Sequence, residues 1–195
     1  MKKLILVTSP PACGKTYVSK QLAKTLHHVV DLDKDTLICL SKQIFAVAGQ
    51  EYNRSSDFFE KNIRNYEYEA IMALAMEALC YDDIVLINAP FTREIRDEVY
   101  LRRLRKALQE KGAELLVVWV NVDVEVMRRR MIERDSDRDT WKLENWDEYM
   151  QTVNMTPPVI PGDPAAKRAL LIFDNNTDSQ FTESMARTVQ LIEKS

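Results

Sequence analysis

The tripeptide Gly14-Lys15-Thr16, which follows a short apolar run, contains residue types that bind phosphate groups. A glycine at this position lets backbone N–H groups turn towards phosphate oxygens. The lysine can reach the β- and γ-phosphates of a nucleotide, and the threonine hydroxyl can bind Mg²⁺. A helix that begins here would add its positive N-terminal end. Residues 9–16 therefore predict a phosphate-binding loop.

The first half of this loop departs from the usual G-x-x-G-x-G-K-T pattern, because Ser9 and Ala12 occupy two of its glycine positions. Ala12 must adopt a backbone shape that glycine takes more easily. Cys13 has two interpretations. In the first, nearby N–H groups and Lys15 lower the pKa of its thiol. In the second, which we favour, Cys13 is a small loop residue at a position where serine often stands. The residues expected to contact nucleotide are Pro11, Ala12, Cys13, Gly14, Lys15, Thr16 and Tyr17.

Two acids, Asp31 and Asp33, alternate at the end of the second predicted strand and so point the same way. The carboxyl ends of neighbouring parallel strands converge on the edge where the phosphate-binding loop lies. One carboxylate can hold Mg²⁺ through water while the other takes a proton from an acceptor hydroxyl. The alternative is that these acids only cap a helix starting near Thr36. We favour the functional role for Asp33 and interpret Asp35 as the cap.

The third predicted strand ends at Asn88, where many phosphate-loop enzymes place an aspartate that organises Mg²⁺. Because an amide carries no charge, the metal-supporting role falls to Asp31 or Asp33. Arg93 follows shortly after and can grip an anionic group of the acceptor through its planar guanidinium. The alternative for Arg93 is a solvated arginine on a basic helix.

Arg130 and Arg134 are four residues apart and share one face of a predicted helix. They come just before the highly charged segment 135–147, which we interpret as a mobile lid that is not part of the core. Arginines carried by a closing lid can neutralise charge that develops during phosphoryl transfer. The alternative is a solvated helix face that pairs with Glu125 and Glu133.

Alternating strands and helices must position these residues. Short apolar runs predict strands at 4–7, 29–32, 84–87, 115–122 and 170–173, and helical spacing covers 17–26, 58–79, 93–111 and 124–134. This alternation predicts a three-layer α/β fold, with a five-stranded parallel sheet and helices on both faces. We expect one domain over 1–195. The aromatic-rich part of segment 41–70 either builds an acceptor-binding insertion or belongs to the core.

Composition limits the partners of the chain. The formal net charge of −3 gives no general attraction to nucleic acid, so a nucleic-acid partner is not expected. No apolar stretch approaches a membrane span, so no membrane partner is expected. The three cysteines have no metal-binding or disulfide spacing and predict reduced thiols in a cytoplasmic protein. Nothing in the pattern specifies the acceptor or the oligomeric state.

Together these motifs resemble the small P-loop kinases, the superfamily that includes adenylate, shikimate and gluconate kinases, the zeta toxins and the kinase domain of polynucleotide kinase. The likeness covers nearly the whole chain and is strongest to the AAA-type ATP-binding branch. It rests on the loop at 9–16, the Asp-x-Asp pair at 31 and 33, Arg93, and the R-x-x-x-R spacing at 130 and 134.

The resemblance implies roles for individual residues. Lys15 and the loop N–H groups would hold the ATP phosphates, Thr16 would bind Mg²⁺, and Asp31 would lie near the metal. Asp33 and Arg93 would contact the acceptor. Arg130 and Arg134 would contact adenine and phosphates, and Asn175 would line the adenine edge.

The leading hypothesis is therefore an ATP- and Mg²⁺-dependent kinase that phosphorylates a hydroxyl of a small molecule. In this kinase Lys15, Asp33, Arg130 and Arg134 are the expected catalytic residues. Two alternatives remain, a nucleotide-binding regulator with little catalysis and a nucleic-acid 5′-hydroxyl kinase.

Overall fold

The computed structural model describes residues 1–160 and 169–194 and contains a five-stranded, all-parallel sheet in the order β2-β3-β1-β4-β5. The strands are β1 (Lys2–Thr8), β2 (Val29–Asp33), β3 (Ile84–Asn88), β4 (Ala113–Asn121) and β5 (Leu170–Asp174). Each lies at one of the predicted apolar runs. The five-stranded parallel sheet and the α/β class are thus confirmed.

Helices connect the strands. The α-helices are α1 (Lys15–Thr25), α2 (Ile38–Val47), α3 (Asp57–Asn62), α4 (Arg64–Ala78), α5 (Glu98–Gln109), α6 (Val124–Arg134), α7 (Asp137–Glu144), α8 (Trp146–Thr152) and α9 (Asp178–Lys194). Two short 3-10 helices, Lys34–Leu37 and Glu94–Arg96, follow β2 and β3. Among the described residues, no helix is both long and apolar enough to span a bilayer.

Both faces of the sheet are covered, as predicted. Side chains of β1 alternate, so that Leu4 and Leu6 pack in a cluster with α4 and α5, while Ile5 and Val7 pack with α1 and α6. All four side chains are fully buried. Burying such a side chain stabilises the fold by roughly 1.5–3 kcal/mol, so the central strand is a rigid support for the loop that follows it.

Strand register brings the predicted polar residues together at the carboxyl edge of the sheet. Asp33 on β2 is paired with Asn88 on β3, and Asn88 is paired with Val7 on β1. Thr8 ends β1 just before the phosphate-binding loop. The loop, the acid and the amide therefore share one end of the sheet.

Three expectations about the helices are wrong in detail. The helix predicted over 58–79 is broken at Ile63, whose φ of −127° and ψ of −48° are not helical. The helix predicted from 93 begins only at Glu98, because the Asp97 carboxylate accepts hydrogen bonds from the N–H groups of Val99 and Tyr100 and so caps α5. The segment 135–147 does contribute to the core, since Asp139 in α7 is fully buried.

Candidate active site

The loop between β1 and α1 contains two residues with a left-handed backbone conformation. Gly14 has a φ of +85° and Ala12 a φ of +59°, both in the left-handed region. Among the described residues, no side chain caps α1, and its first turn contains no acid. The free N–H groups of that turn are therefore left for an anion.

Gly14 is also required by close packing. A Cβ at this position would lie 2.5 Å from the Asn175 Nδ2 atom. That distance is far below van der Waals contact, so any side chain here would displace Asn175. Glycine at 14 is thus explained by both its φ angle and its neighbour.

A cavity of about 670 Å³ lies against this loop. Its wall is formed by loop residues Ser9, Pro10, Pro11, Ala12, Cys13, Gly14, Lys15, Thr16 and Tyr17, together with Asp33, Asp35, Pro90, Arg130, Arg134 and Lys142. The structure therefore brings the predicted loop, acid and arginine pair to one cavity. This size is within the usual range for a small-molecule site.

Asn88 connects three of the predicted residues. Its Oδ1 atom accepts a hydrogen bond from Lys15 Nζ at 3.1 Å. Its Nδ2 group donates to Thr16 Oγ1 at 3.1 Å and to Asp33 Oδ2 at 2.9 Å. The uncharged side chain at the end of β3 thus links the lysine and threonine of the loop to the acid of β2.

Lys15 lies in a partly desolvated setting. Burial lowers the pKa of its ammonium from the usual value, and the carboxylates of Asp35 and Asp33 partly oppose that effect. A cation held in such a place gains strongly from an added anion. The wall of the cavity therefore favours a phosphate group next to Lys15.

Asp33, and not Asp35, is the cap after β2. The Oδ1 atom of Asp33 accepts a hydrogen bond from the Asp35 N–H at 2.9 Å and so caps the 3-10 helix that follows. The predicted cap role of Asp35 is wrong, because Asp35 supplies the N–H and Asp33 the carboxylate of this capping bond; the Asp35 residue lines the cavity. Asp33 thus caps the turn and also lines the cavity, and its predicted role at the acceptor hydroxyl remains a prediction.

Asp31 has a different environment from Asp33. Its Oδ1 atom accepts a hydrogen bond from Ser19 Oγ at 3.0 Å. Burial raises the pKa of this carboxyl, and the Ser19 bond partly opposes the rise. Asp31 is not part of the cavity wall as the described residues define it. Its predicted role near the metal remains a prediction.

Arg130 and Asn175 support the loop from behind. Arg130 Nη2 donates to the Asn175 carbonyl oxygen at 2.7 Å, and its Nη1 group approaches the Cys13 carbonyl oxygen at 3.4 Å. Asn175 Nδ2 also donates to the Cys13 carbonyl oxygen, at 2.8 Å. Arg130 faces the cavity as well, whereas Asn175 is not among the described residues of its wall.

Arg134 shares a buried carboxylate with a lysine that sequence analysis missed. Asp139 Oδ2 accepts hydrogen bonds from Nε and Nη2 of Arg134, and Asp139 Oδ1 accepts one from Lys142 Nζ at 3.0 Å. Both cations line the cavity. In the sequence, only the three-residue spacing of Asp139 and Lys142 pointed to a contact between these two side chains. Charged residues often have this spacing in helices, so it did not single out Lys142.

Cys13 is a buried thiol. Burial raises its pKa to about 12, although Ser9 and the nearby cations oppose the rise. The thiol is therefore protonated at neutral pH, which supports the favoured interpretation of Cys13 as a small loop residue. Tyr17, by contrast, lines the cavity and packs its ring 5.3 Å from that of Phe181.

Arg93 lies apart from the cavity. Its guanidinium is largely exposed and forms an ion pair with Glu60 of α3. Within the described part of the chain it does not contribute to the cavity wall. Its predicted contact with the acceptor remains a prediction.

Two of the aromatic residues between β2 and β3, Phe45 and Phe59, belong to a small core. Phe45 stacks on Phe59 with ring centroids 6.5 Å apart and meets Tyr52 edge-on at 5.4 Å. Phe45, Phe59 and Ile63 are all nearly inaccessible to solvent. The packing therefore supports the core interpretation for Phe45 and Phe59, whereas Tyr52 and Tyr66 are exposed.

A family model described as an AAA domain matches residues 4–156 of this sequence. The chain belongs to this AAA domain family. The match spans the phosphate-binding loop, Asp33, Arg130 and Arg134, which line the cavity, and Asn88, which is hydrogen-bonded to three of these residues. A search of the curated proteins gave no match to this sequence.

Solved structures share the fold of this AAA domain at low sequence identity. A protein from Chloroflexus aurantiacus J-10-fl, provisionally described as a kinase, has a TM-score of 0.66 at 20% identity over 99% of this chain and 97% of its own. Kti12 from Chaetomium thermophilum, in complex with ADP-AlF3, has a TM-score of 0.58 at 18% identity over 97% and 98%. A gluconokinase from Sinorhizobium meliloti 1021 has a TM-score of 0.53 at 13% identity over 98% and 95%. The fold is thus that of the P-loop kinases.

Proposed function

We propose that this AAA domain is an ATP- and Mg²⁺-dependent phosphotransferase that moves the γ-phosphoryl group of ATP to a hydroxyl of a small molecule. The observation that carries the proposal is the Asn88 amide, which joins Lys15 and Thr16 to Asp33. Lys15 and Thr16 are suited to the phosphoryl donor, and Asp33 is suited to the acceptor. A single network therefore connects both halves of a phosphoryl-transfer site.

The residues have complementary tasks in this reaction. The loop N–H groups and Lys15 bind the phosphates of ATP. Asp33 takes the proton of the acceptor hydroxyl, whose oxygen forms a bond to the γ-phosphorus. The bond from that phosphorus to the bridging oxygen breaks, and ADP leaves with the electron pair. Lys15, Arg130 and Arg134 stabilise the charge that develops on the phosphoryl oxygens.

The residues of the cavity fit a magnesium ion that is held mainly by its substrate. Thr16 and Asp33 present oxygen atoms bonded to the same Asn88 Nδ2 group. Among the described residues, no three His, Cys, Asp or Glu side chains gather into a ready-made metal cluster. Mg²⁺ commonly uses few protein ligands and completes its shell with phosphate oxygens and water. Thr16 would be the protein ligand, and the ion would neutralise phosphate charge.

The acceptor would lie on the Asp33 side of the cavity. Asp33, Asp35 and Pro90 form that part of the wall. Segment 41–70 is the proposed acceptor-binding insertion, and Arg93 would reach an anionic acceptor group only by giving up its ion pair with Glu60. The three cysteines are unpaired, which favours a reducing compartment such as the cytoplasm for this activity.

A regulatory ATPase is the second candidate function. It is favoured by the fold shared with Kti12, which was solved with ADP-AlF3. In that case ATP would be hydrolysed slowly and the chain would signal to a partner. A phosphorylated product distinguishes the two candidates, because only a kinase makes one from an acceptor. An oligonucleotide with a free 5′-hydroxyl belongs in the acceptor panel, although the net charge of −3 disfavours it.

Lys15→Ala tests the proposal directly. Loss of the ammonium should lower ATP turnover by roughly 100-fold or more, because one charge-stabilising contact typically contributes that much. Turnover is measured as ADP release, and transfer is measured with γ-labelled ATP and a panel of hydroxyl compounds. Lys24→Ala, an exposed lysine on the same helix, is the matched control and should behave as wild type. Undiminished ATP binding and turnover in Lys15→Ala would contradict the proposal.

A further inference from the structure

Asp139 is a buried carboxylate between two cations of the cavity wall. Its side chain has 0% exposure, whereas those of Arg134 and Lys142 have 33% and 24%. Arg134 ends α6 and Lys142 lies in α7, so Asp139 connects two helices. Asp135, with a φ of +45°, makes the tight turn between them. The three charged groups are thus fixed relative to one another by short backbone elements.

The cations keep most of their hydrogen-bonding capacity while they are held. A guanidinium has five N–H donors, and Arg134 uses Nε and Nη2 towards one oxygen of Asp139. An ammonium has three N–H donors, and Lys142 uses one of them here. One negative charge faces two positive charges, so the cluster retains a net charge of about +1. Asp139 therefore orients the two cations without neutralising both.

The carboxylate remains ionised in this arrangement. Burial alone would raise the pKa of Asp139, but the hydrogen bonds from Arg134 and Lys142 outweigh that effect and lower it. Arg130 differs from this pair, because its guanidinium is bonded to backbone carbonyl groups of the loop and of Asn175. Arg134 and Lys142 are therefore the cavity cations that share a single side-chain anchor.

We propose that Asp139 is a positioning residue that presents Arg134 and Lys142 together to the polyphosphate of a bound nucleotide, and that Lys142 is itself a phosphate-binding residue. This inference rests on the proposed function only in requiring a nucleoside triphosphate at the loop. It requires neither an acceptor nor catalysis.

Equilibrium binding of Mg-ATP to the full chain tests the inference. Lys142→Met removes the charge at similar length and should weaken Mg-ATP binding by about tenfold, as expected for one charge-assisted hydrogen bond. Asp139→Asn should cause a similar loss, since the cations bond to different carboxylate oxygens and an amide replaces one of these oxygens with an NH2 donor. Arg129→Ala is the matched control, because this exposed arginine on α6 pairs only with Glu133 among the described residues. Its affinity should stay at the wild-type value.

Comparing Asp139→Asn in the wild-type protein and in a variant that lacks both cations separates a positioning role of Asp139 from a general structural effect. In the Arg134→Gln/Lys142→Met background, adding Asp139→Asn should produce no further loss of affinity, because the groups it positions are gone. An equal loss in both backgrounds would overturn the positioning role. If Asp139→Asn fails to fold, Lys142→Met still tests whether Lys142 binds phosphate. Wild-type affinity for Mg-ATP in Lys142→Met would overturn that role.

The test also distinguishes failure of this inference from failure of the proposed function. If wild type does not bind Mg-ATP, both are overturned. If Lys15→Ala lowers affinity while the Asp139 and Lys142 variants do not, only the present inference is overturned. If all of these variants lose affinity but no acceptor is phosphorylated, the inference stands and the kinase proposal does not.

Discussion

At the scale of single residues, the amide of Asn88 does what a carboxylate at the same place cannot do. An amide both accepts and donates, so it bonds to the cation of Lys15 and to the anion of Asp33 at once. An ionised aspartate would only accept, and it would repel Asp33. The sequence revealed that position 88 lacks the usual charge, but it could not reveal that the amide links Lys15 and Thr16 to Asp33.

Ala12 provides a prediction about backbone strain. Its φ of +59° costs a non-glycine residue roughly 1–2 kcal/mol, whereas glycine loses about 0.5–1 kcal/mol more entropy on folding. Ala12→Gly should therefore raise the free energy of unfolding by up to about 1.5 kcal/mol, measured by urea denaturation. Ala48→Gly, at an ordinary φ of −78°, is the control and should lower it. A fall in both variants would show that the left-handed loop is not strained.

At the scale of secondary-structure elements, Glu67 ties α4 to the segments that precede it. Arg54 donates to both carboxylate oxygens at 2.7 Å, and Lys34 Nζ lies 2.8 Å from Oε2. Ser41 of α2 donates to the same carboxylate. These bonds hold the region after β2 against α4, next to Asp33 and Asp35. The buried carboxylate of Glu67 thus stabilises the proposed acceptor side of the cavity.

Glu67 predicts a specific loss of stability in acid. Burial would raise its pKa, but the bonds from Arg54, Lys34 and Ser41 outweigh burial and lower the pKa from 4.5 to about 2. Since the folded pKa is depressed, the stabilisation is full above pH 4.5 and is lost as pH falls towards 2. The shift corresponds to about 3 kcal/mol.

Glu67→Gln tests whether the Glu67 carboxylate loses its stabilising effect between pH 4.5 and 2. Its stability deficit relative to wild type should be largest at neutral pH and should narrow between pH 4.5 and 2, measured by denaturant unfolding at each pH. The exposed Glu69→Gln on the same helix should show no such change. A deficit that is constant with pH would mean that the Glu67 charge does not stabilise the fold.

Local sequence patterns predicted the five strands but did not predict the helix break at Ile63 or the contact of Lys142 with Asp139. Buried parallel strands are short apolar runs bounded by polar residues, so all five were visible in the sequence. The break at Ile63 was not visible, because helical spacing of apolar residues continues through it. Lys142 was not visible either, since its role depends on a carboxylate buried by tertiary packing. The loop, Asp33 and the α6 arginines were predictable because their spacing is local.

At the scale of the whole molecule, the cavity joins distant parts of the chain. Its wall takes residues from the first loop, from the end of β2, and from α6 and α7. A ligand that contacts all of them links elements that are otherwise connected through the sheet. Binding should therefore stabilise the fold as a unit.

Thermal unfolding measures this linkage. At 100 times its dissociation constant, Mg-ATP should stabilise the native state by about 2.7 kcal/mol. For a domain of this size that amount raises Tm by about 5–10 °C. Lys15→Ala should lose most of the shift at the same ligand concentration, whereas Lys24→Ala should keep it. Equal shifts in wild type and Lys15→Ala would place the nucleotide elsewhere.

The contact between Asn175 and the Cys13 carbonyl group also has a consequence for synthesis. These two residues are separated by 162 positions, and Arg130 is separated from Cys13 by 117. Ribosomes add roughly 5–20 residues per second, so roughly 10–30 s pass between synthesis of Cys13 and of Asn175. The phosphate-binding loop is therefore synthesised early, whereas Asn175, which hydrogen-bonds to it, is synthesised late. We therefore expect a growing polypeptide to complete the support of this loop only after β5 has emerged.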